Sequence, residues 1–174
     1  MTRILRLMAL ASASIFGTAC AASNSQPTLK TVSSVDVGRY LGSWHEIARY
    51  PAGFQKDCYK SQANYSLDED GYLKVVNTCR KGSPAGEVKT AEAKAWIVDK
   101  TTNAKLKVQF FWPFKGDYWI IDLGKDYEYA VVGEPSREYL WILSRTPEME
   151  DGVYQAISSR LRENGYDPAR LIRQ

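Results

Sequence analysis

The sequence predicts an all-β fold: an eight-stranded up-and-down antiparallel β-barrel with one C-terminal α-helix packed outside. Three observations carry this. Eight short strand-like runs recur between Trp44 and Ser144. Short separators rich in Gly, Pro, Asp and Asn lie between them, as hairpins joining sequential neighbours require. Only after Arg145 does the apolar period lengthen from about two to about four residues. With 174 residues, 44% hydrophobic and 12% aromatic, the chain has enough apolar material for one domain with a sizeable core. Lys60, Lys74, Lys89, Lys94, Lys105 and Lys107 fall inside the runs and need water outside, which argues against a barrel that faces lipid.

In chain order, Arg3 and Arg6 precede an apolar run from Leu7 to Phe16 and the small residues Gly17, Thr18 and Ala19. The run is too short to span a bilayer, and its flanks are those of an export sequence, so residues 1–19 read as a signal peptide. Cys20 directly after small residues resembles the bacterial lipobox, which implies acylation of Cys20 and a lipid anchor. Gly17 stands where that motif usually has Leu, and a soluble periplasmic or secreted protein is the alternative. Ala21 is not the Asp that usually retains such lipoproteins in the inner membrane, so the resemblance favours the outer membrane. Without Arg3 and Arg6 the 23 basic residues become 21 against 20 acidic ones. That balance gives no electrostatic footprint for nucleic acid. Residues 20–34, rich in Ser, Asn, Thr and Pro, read as a flexible tether before a domain over 35–174.

The stretch from Val37 to Ala48 organises the rest. Gly42 two residues ahead of Trp44 suggests a large ring laid across the end of the barrel, where a missing side chain lets the backbone come close. Alternation would place Trp44, Glu46 and Ala48 on one face and His45, Ile47 and Arg49 on the other. Residues 49–57, with Pro51, Gly53 and Phe54, read as a loop over an open end. Strands follow at 58–67, 72–80, 87–99, 104–111, 118–123, 127–133 and 139–144. The last leads into Arg145, a cation suited to stacking on the Trp44 indole. Thr146 as a cap, Pro147 in the first turn, and Met149, Val153, Ile157 and Leu161 at four-residue intervals predict an amphipathic helix that Gly165 stops. Its mixed charges suit packing on the barrel better than binding a membrane. The tail to Ile172 returns as a short extended piece.

With Cys20 acylated, Cys58 and Cys79 remain as a pair in an oxidising compartment, where a disulfide is expected. They flank the turn from Asp68 to Gly71, which sets Cys58 opposite Lys81 and leaves the pair off register by two residues. A bulge or a diagonal link would have to absorb the offset. Two reduced thiols are the alternative. No metal site is expected, because His45 is the sole histidine and no Cys-x-x-Cys occurs.

Gly42-Ser43-Trp44, Asp126-Tyr127 and Arg145 in Leu143-Ser144-Arg145-Thr146-Pro147, in that order, resemble the three short motifs of the lipocalins. Supporting likeness to the bacterial outer-membrane lipoprotein lipocalins and to apolipoprotein D lies in Tyr40-Leu41-Gly42, in Asn64-Tyr65-Ser66-Leu67 with Asp70-Gly71, and in Phe110-Phe111-Trp112-Pro113-Phe114. The resemblance spans about Val35 to Ile172. His45 stands where Tyr is common, and Lys125 where Thr often precedes Asp-Tyr. The family implies binding of a small apolar ligand in the barrel, and this branch implies fatty acids or lysophospholipids at the bacterial envelope. It assigns Gly42, Trp44, Asp126, Tyr127 and Arg145 to structure at the closed end.

Alternation gives its own picture of the cup. If Arg145 points inward, so do Leu143, Trp141 and Tyr139. Tyr65, Ala63 and Ser61 share a face, as do Ala91, Ala93 and Ala95. Small residues beside Tyr65, Tyr118, Tyr139 and Trp141 suggest a hollow, aromatic-lined cup with hydroxyls to fix a polar head. The expected cavity residues are therefore Ala63, Tyr65, Ala93, Ala95, Tyr118, Tyr139 and Trp141. Phe111, Trp112 and Phe114 lie in a turn and read as an exposed rim that meets lipid or a second copy in a homodimer. Catalysis finds no support: there is no nucleophile elbow, the lone His45 reads as a surface residue, and no carboxylate spacing stands out. No cofactor is expected. A structural lipoprotein with a filled barrel is the alternative reading, followed by an envelope enzyme acting on lipid.

Overall fold

The computed structural model describes residues 27–174. The expected signal peptide and Cys20 lie outside the described residues. A four-residue helix, α1 (Val37–Tyr40), leads into β1 (Gly42–Arg49), β2 (Cys58–Leu67), β3 (Leu73–Lys81), β4 (Val88–Ile97) and β5 (Lys105–Phe111). There follow β6 (Phe114–Leu123), β7 (Tyr129–Gly133), β8 (Leu140–Ser144), α2 (Asp151–Glu163) and the short β9 (Ile172–Arg173). From β2 to β8 each strand pairs with the next, and β1 pairs with both β2 and β8, so the expected barrel closes. Closure is uneven: β4 pairs with β5 over Lys94–Ile97, while its Val88–Ala93 pair with β3 alone.

Sequence neighbours pair because the turns are short, and most strand bounds fall close to those expected. The exception is β6. Residues 112–117 read as a separator, yet Phe114, Gly116 and Asp117 pair with Phe111, Val108 and Lys107, and only Trp112 and Pro113 turn. A run of Phe-Lys-Gly-Asp has turn composition, and pairing with a fixed neighbour overrides it.

The barrel sorts its apolar residues into two clusters. The inner one includes Trp44, Ala63, Tyr65, Val75, Ala93, Ala95, Leu106 and Leu143. The outer one joins Ile47, Ala48, Val131, Leu140 and Ile142 to Ile157 and Leu161 of α2. The α2 stripe packs on the barrel wall as expected, but its start is corrected. The helix begins at Asp151, and its cap residue Glu150 makes no side-chain bond. Thr146 caps nothing; its hydroxyl donates to the Glu148 carbonyl at 2.7 Å and holds a bend. Gly165, at φ +79°, ends the helix in the left-handed conformation that glycine adopts without strain.

Two further expectations are corrected. Residues 27–34, assigned to a flexible tether, are tied to the barrel: Leu29 is buried in the outer cluster, the Val32 amide donates to the Ile120 carbonyl, and Arg137 Nη2 donates to the Pro27 carbonyl. The strict alternation of β1 breaks at a register shift between Glu46 and Ala48. Glu46 pairs with Leu143 of the inner cluster, Ala48 pairs with Ile142 of the outer cluster, and Arg49 pairs with inward-facing Trp141. One extra residue on one strand thus turns Ala48 out and Arg49 in.

The disulfide between Cys58 and Cys79 is formed, with a Cα separation of 5.4 Å. Cys58 lies opposite Lys81 as expected, still two positions from Cys79, so the bond is a diagonal link. The ladder starts at Leu67 and Leu73, one residue beyond a symmetric turn, and a second shift between Tyr59 and Gln62, with Lys60 at φ 49°, makes up that residue.

Candidate ligand site in the barrel

The floor of the cup is built on α1. Asp36 accepts from the Arg39 amide and starts the helix, and Gly42 at φ +89° then turns the chain into β1. Trp44 comes to rest fully buried, with its indole Nε1 donating to the Tyr40 carbonyl at 2.9 Å. Arg145 lies over this ring, its Cζ 3.7 Å from the centroid. It also donates to the carbonyls of Ser43 at 2.9 Å, Arg39 at 2.6 Å and Tyr127 at 3.3 Å. One guanidinium therefore ties the start of β1, α1 and the turn between β6 and β7 into a closed end. Tyr127 accepts from the Asp36 amide at 2.7 Å, while the Asp126 carboxylate stays exposed, 3.9 Å from Arg39.

Above the floor three tyrosines meet. The Tyr118 hydroxyl lies 2.7 Å from that of Tyr40 and 2.8 Å from that of Tyr65. Ala63, Ala93 and Ala95 are buried in the same inner cluster, and Val75 pairs with both Tyr65 and Ala93. Higher on the wall, β1 and β8 present a polar group: Arg49 Nη1 donates to Glu46 Oε1 at 2.7 Å, Gln55 Nε2 donates to Glu46 Oε2 at 2.9 Å, and Trp141 Nε1 donates to Gln55 Oε1 at 2.8 Å. Burial raises the Glu46 carboxyl above its ordinary range, against the opposing pull of Arg49 and Gln55. At the mouth Tyr139 stacks on Trp141 at 6.0 Å, and Phe54 leans on both. The rim beyond is apolar and open to water, with Phe111, Trp112 and Phe114 73%, 86% and 76% exposed.

The family of the lipocalin-like domain matches residues 35–174 of the chain. The outer membrane lipoprotein Blc of Escherichia coli (strain K12) is 40% identical over 172 residues, which cover 98% of this chain and 96% of the relative. The chain belongs to the lipocalin family. Apolipoprotein D of Mus musculus is 35% identical, across 83% of this chain and 79% of its own. Among solved structures, insecticyanin from the tobacco hornworm Manduca sexta aligns with a TM-score of 0.68 at 21% identity, covering 85% of this chain and 84% of its own, a likeness of fold. Lipocalins are in general binders of small hydrophobic molecules and not enzymes.

In this lipocalin the expected cavity residues separate by height. Ala63, Tyr65, Ala93, Ala95 and Tyr118 gather in the lower cup, whereas Trp141 and Tyr139 lie at the mouth beside the loop of residues 50–57. Sequence reasoning missed Tyr40, Glu46, Arg49 and Gln55. The Tyr40-to-Trp44 spacing carries a signal for the first and the shared face of Trp44 and Glu46 one for the second, but none marks Arg49, which strict alternation sends outward, or Gln55. Two clefts, of about 200 and 340 Å³, open on the outer wall. Lys60, Gln62, Thr78 and Arg80 give the smaller a largely polar lining, while the larger is mixed, with Lys74, Glu92 and Lys94 beside Tyr72, Phe110 and Trp112. Among the described residues no group of three His, Cys, Asp or Glu side chains could hold a metal ion, and no helix is long and apolar enough to cross a membrane.

The tyrosine cluster gives a measurable pH dependence. Burial pushes Tyr65 up to about 12 and raises Tyr40 and Tyr118 as well. A hydroxyl with a folded pKa above the unfolded value adds stability that is complete below about pH 10 and is lost as pH rises through the folded pKa. Tyrosinate absorbance and far-ultraviolet circular dichroism should therefore show the buried tyrosines ionising only together with loss of the β signal. Smooth ionisation of all eleven tyrosines with the fold intact would contradict this.

Proposed function

We propose that this lipocalin binds fatty acids or lysophospholipids in its barrel at the bacterial outer membrane, held there by an acylated Cys20 and facing the periplasm. The observation that carries the reading is the combination of an aromatic and small-residue interior with an exposed aromatic mouth, on a chain 40% identical to an outer membrane lipoprotein across 98% of its length. Such an interior matches an acyl chain, and the hydroxyls and Arg49 offer partners for a polar head. Phe111, Trp112 and Phe114 are proposed to meet lipid or a second copy of the chain. Binding without catalysis is the role proposed, since Glu46, the buried carboxylate of the cup, is spent on Arg49.

Displacement of cis-parinaric acid by palmitate tests this reading. Palmitate is expected to displace the probe at micromolar concentration, and no displacement from folded protein would reject it. The buried lower cup favours one rival, a filled barrel with a structural role. Ala93→Phe separates the two. Position 93 faces Val75 at 5% exposure, so a filled barrel should lose about 1–3 kcal/mol through overpacking, whereas a hollow one should chiefly lose ligand.

A further inference from the structure

A barrel that holds only hydrocarbon has no use for charge, yet this wall carries an ion pair. Glu46 and Arg49 are each 6% exposed, and removing both charges from water carries a cost that their attraction only partly offsets. The pair is roofed by Gln55. The backbone carbonyl of Gln55 accepts from Arg49 Nη2 at 3.1 Å, while its side-chain amide nitrogen donates to Glu46 and its side-chain oxygen accepts from Trp141. Residue 55 is thus a stopper: its backbone carbonyl takes the bond to Arg49 that a ligand head could take, and its carboxamide anchors that carbonyl in place through Glu46 and Trp141. It rides on a single 3-10 turn, Gly53–Gln55, which has no side-chain cap.

Three buried polar atoms on the strands around this point find no hydrogen-bond partner among the described residues: Arg49 Nε, Ser61 Oγ and Asn77 Oδ1. Folded proteins rarely leave such atoms unpaired. Ser61 is on the inward face of β2 with Ala63, and Asn77 pairs with Ala63 from β3. All three atoms are shut off from solvent, and Gln55 is the residue that covers the Arg49 guanidinium among them. Departure of Gln55 would free Nη2 of Arg49 next to the unpartnered Nε. Together these form the side edge of the guanidinium, whose two parallel N–H groups match a carboxylate or phosphate, while Nη1 stays fixed by Glu46.

We propose that Arg49 is the headgroup residue of the cup, taking the anionic oxygens of an acidic amphiphile on its Nε and Nη2 edge when Gln55 swings away, with Ser61 adding a hydroxyl donor. This rests on the lipid-binding reading above. Glu46 keeps the guanidinium aimed and neutralised while the site is empty.

Tryptophan-quenching titrations with palmitate, methyl palmitate and lysophosphatidic acid test it. The variants are Gln55→Ala and the double Glu46→Leu, Arg49→Met, which removes both charges so that neither is stranded. The double variant should lose about tenfold or more in affinity for palmitate and for lysophosphatidic acid, the scale of a lost charge-assisted bond, and stay within about twofold for the ester. Gln55→Ala keeps the carbonyl but removes the two carboxamide bonds that hold the 3-10 turn down, so it should tighten palmitate several-fold and leave the ester unmoved. The acid that binds wild type more tightly identifies carboxylate or phosphate as the preferred head. Equal changes for palmitate and its ester would overturn the inference while leaving lipid binding in place. Failure of the wild type to bind any of the three lipids would sink both. Should the double variant not fold, Gln55→Ala alone decides, and unchanged palmitate affinity then rejects the stopper.

Discussion

Replacing Trp44 with alanine is expected to destabilise the protein by about 3–5 kcal/mol, the range for a large aromatic deleted from a packed site. The indole is fully buried, bonded to the Tyr40 carbonyl, and packed against the Tyr40 ring at 5.1 Å. Its loss leaves a cavity at the junction of α1, β1 and β2 and removes the surface on which Arg145 lies. The damage therefore spreads to three carbonyls that Arg145 would no longer reach in the same geometry. Urea unfolding followed by far-ultraviolet circular dichroism measures it as a fall in midpoint at unchanged slope. A double-mutant cycle with Arg145→Met should give a coupling of about 1–2 kcal/mol, the size of a partly desolvated cation over an indole. A total loss below about 1 kcal/mol for Trp44→Ala would mean that the closed end does not depend on the ring.

The second large effect belongs to Cys58 and Cys79. The bond closes a loop across a sequence separation of 21 residues, and restricting a loop of that size in the unfolded chain stabilises the fold by about 3 kcal/mol. The paired change Cys58→Ser and Cys79→Ser should therefore lower the urea midpoint by the corresponding amount. Reduction of the wild type should have the same effect, and no change on reduction would show that the bond contributes nothing. The bond crosses the mouth end of β2 and β3, where Lys60 bulges and the ladder is interrupted. Its loss is expected to loosen the rim before the floor, visible as faster amide exchange at residues 58–62 than at Trp44.

Much of the architecture was legible because it rests on local periods. A period of two with short turns between runs leaves little choice but neighbour pairing, and the four-residue stripe of Val153, Ile157 and Leu161 could only be a helix with one buried face. The partnership of Trp44 with Arg145 was legible from residue chemistry. Counting back from a four-residue turn at Asp68 to Gly71 reached the two-residue offset of the disulfide because two departures cancel: the turn is one residue longer, with Leu67 opposite Leu73, and β2 bulges by one residue between Tyr59 and Gln62. The onset of α2 was misread because Thr146 and Pro147 are good helix starters, yet the Thr146 amide donates to Ser144 Oγ and its hydroxyl to the Glu148 carbonyl, which holds a bend there instead.

Of the polar group of the cup only Glu46, on the face of Trp44, was legible, for a specific reason. Alternation assigns Arg49 to the outside of the barrel, and only an extra residue between Glu46 and Ala48 reverses it. Gln55 lies in a loop whose composition says nothing of where its amide points. The Tyr40 hydroxyl reaches Tyr118 because α1 folds beneath the barrel, a placement set by Arg145 from 105 positions downstream.

Sequence alone thus determined the strand count and order, the helix outside, the stapled cysteines and the capped floor, since each follows from a repeat or a pairing of residue types within reach of its neighbours. Tertiary structure alone decided which charges turn inward and what roofs them. A bulge is a compromise between two flanking strands, β2 and β8, that both claim β1, and no single strand's pattern contains it.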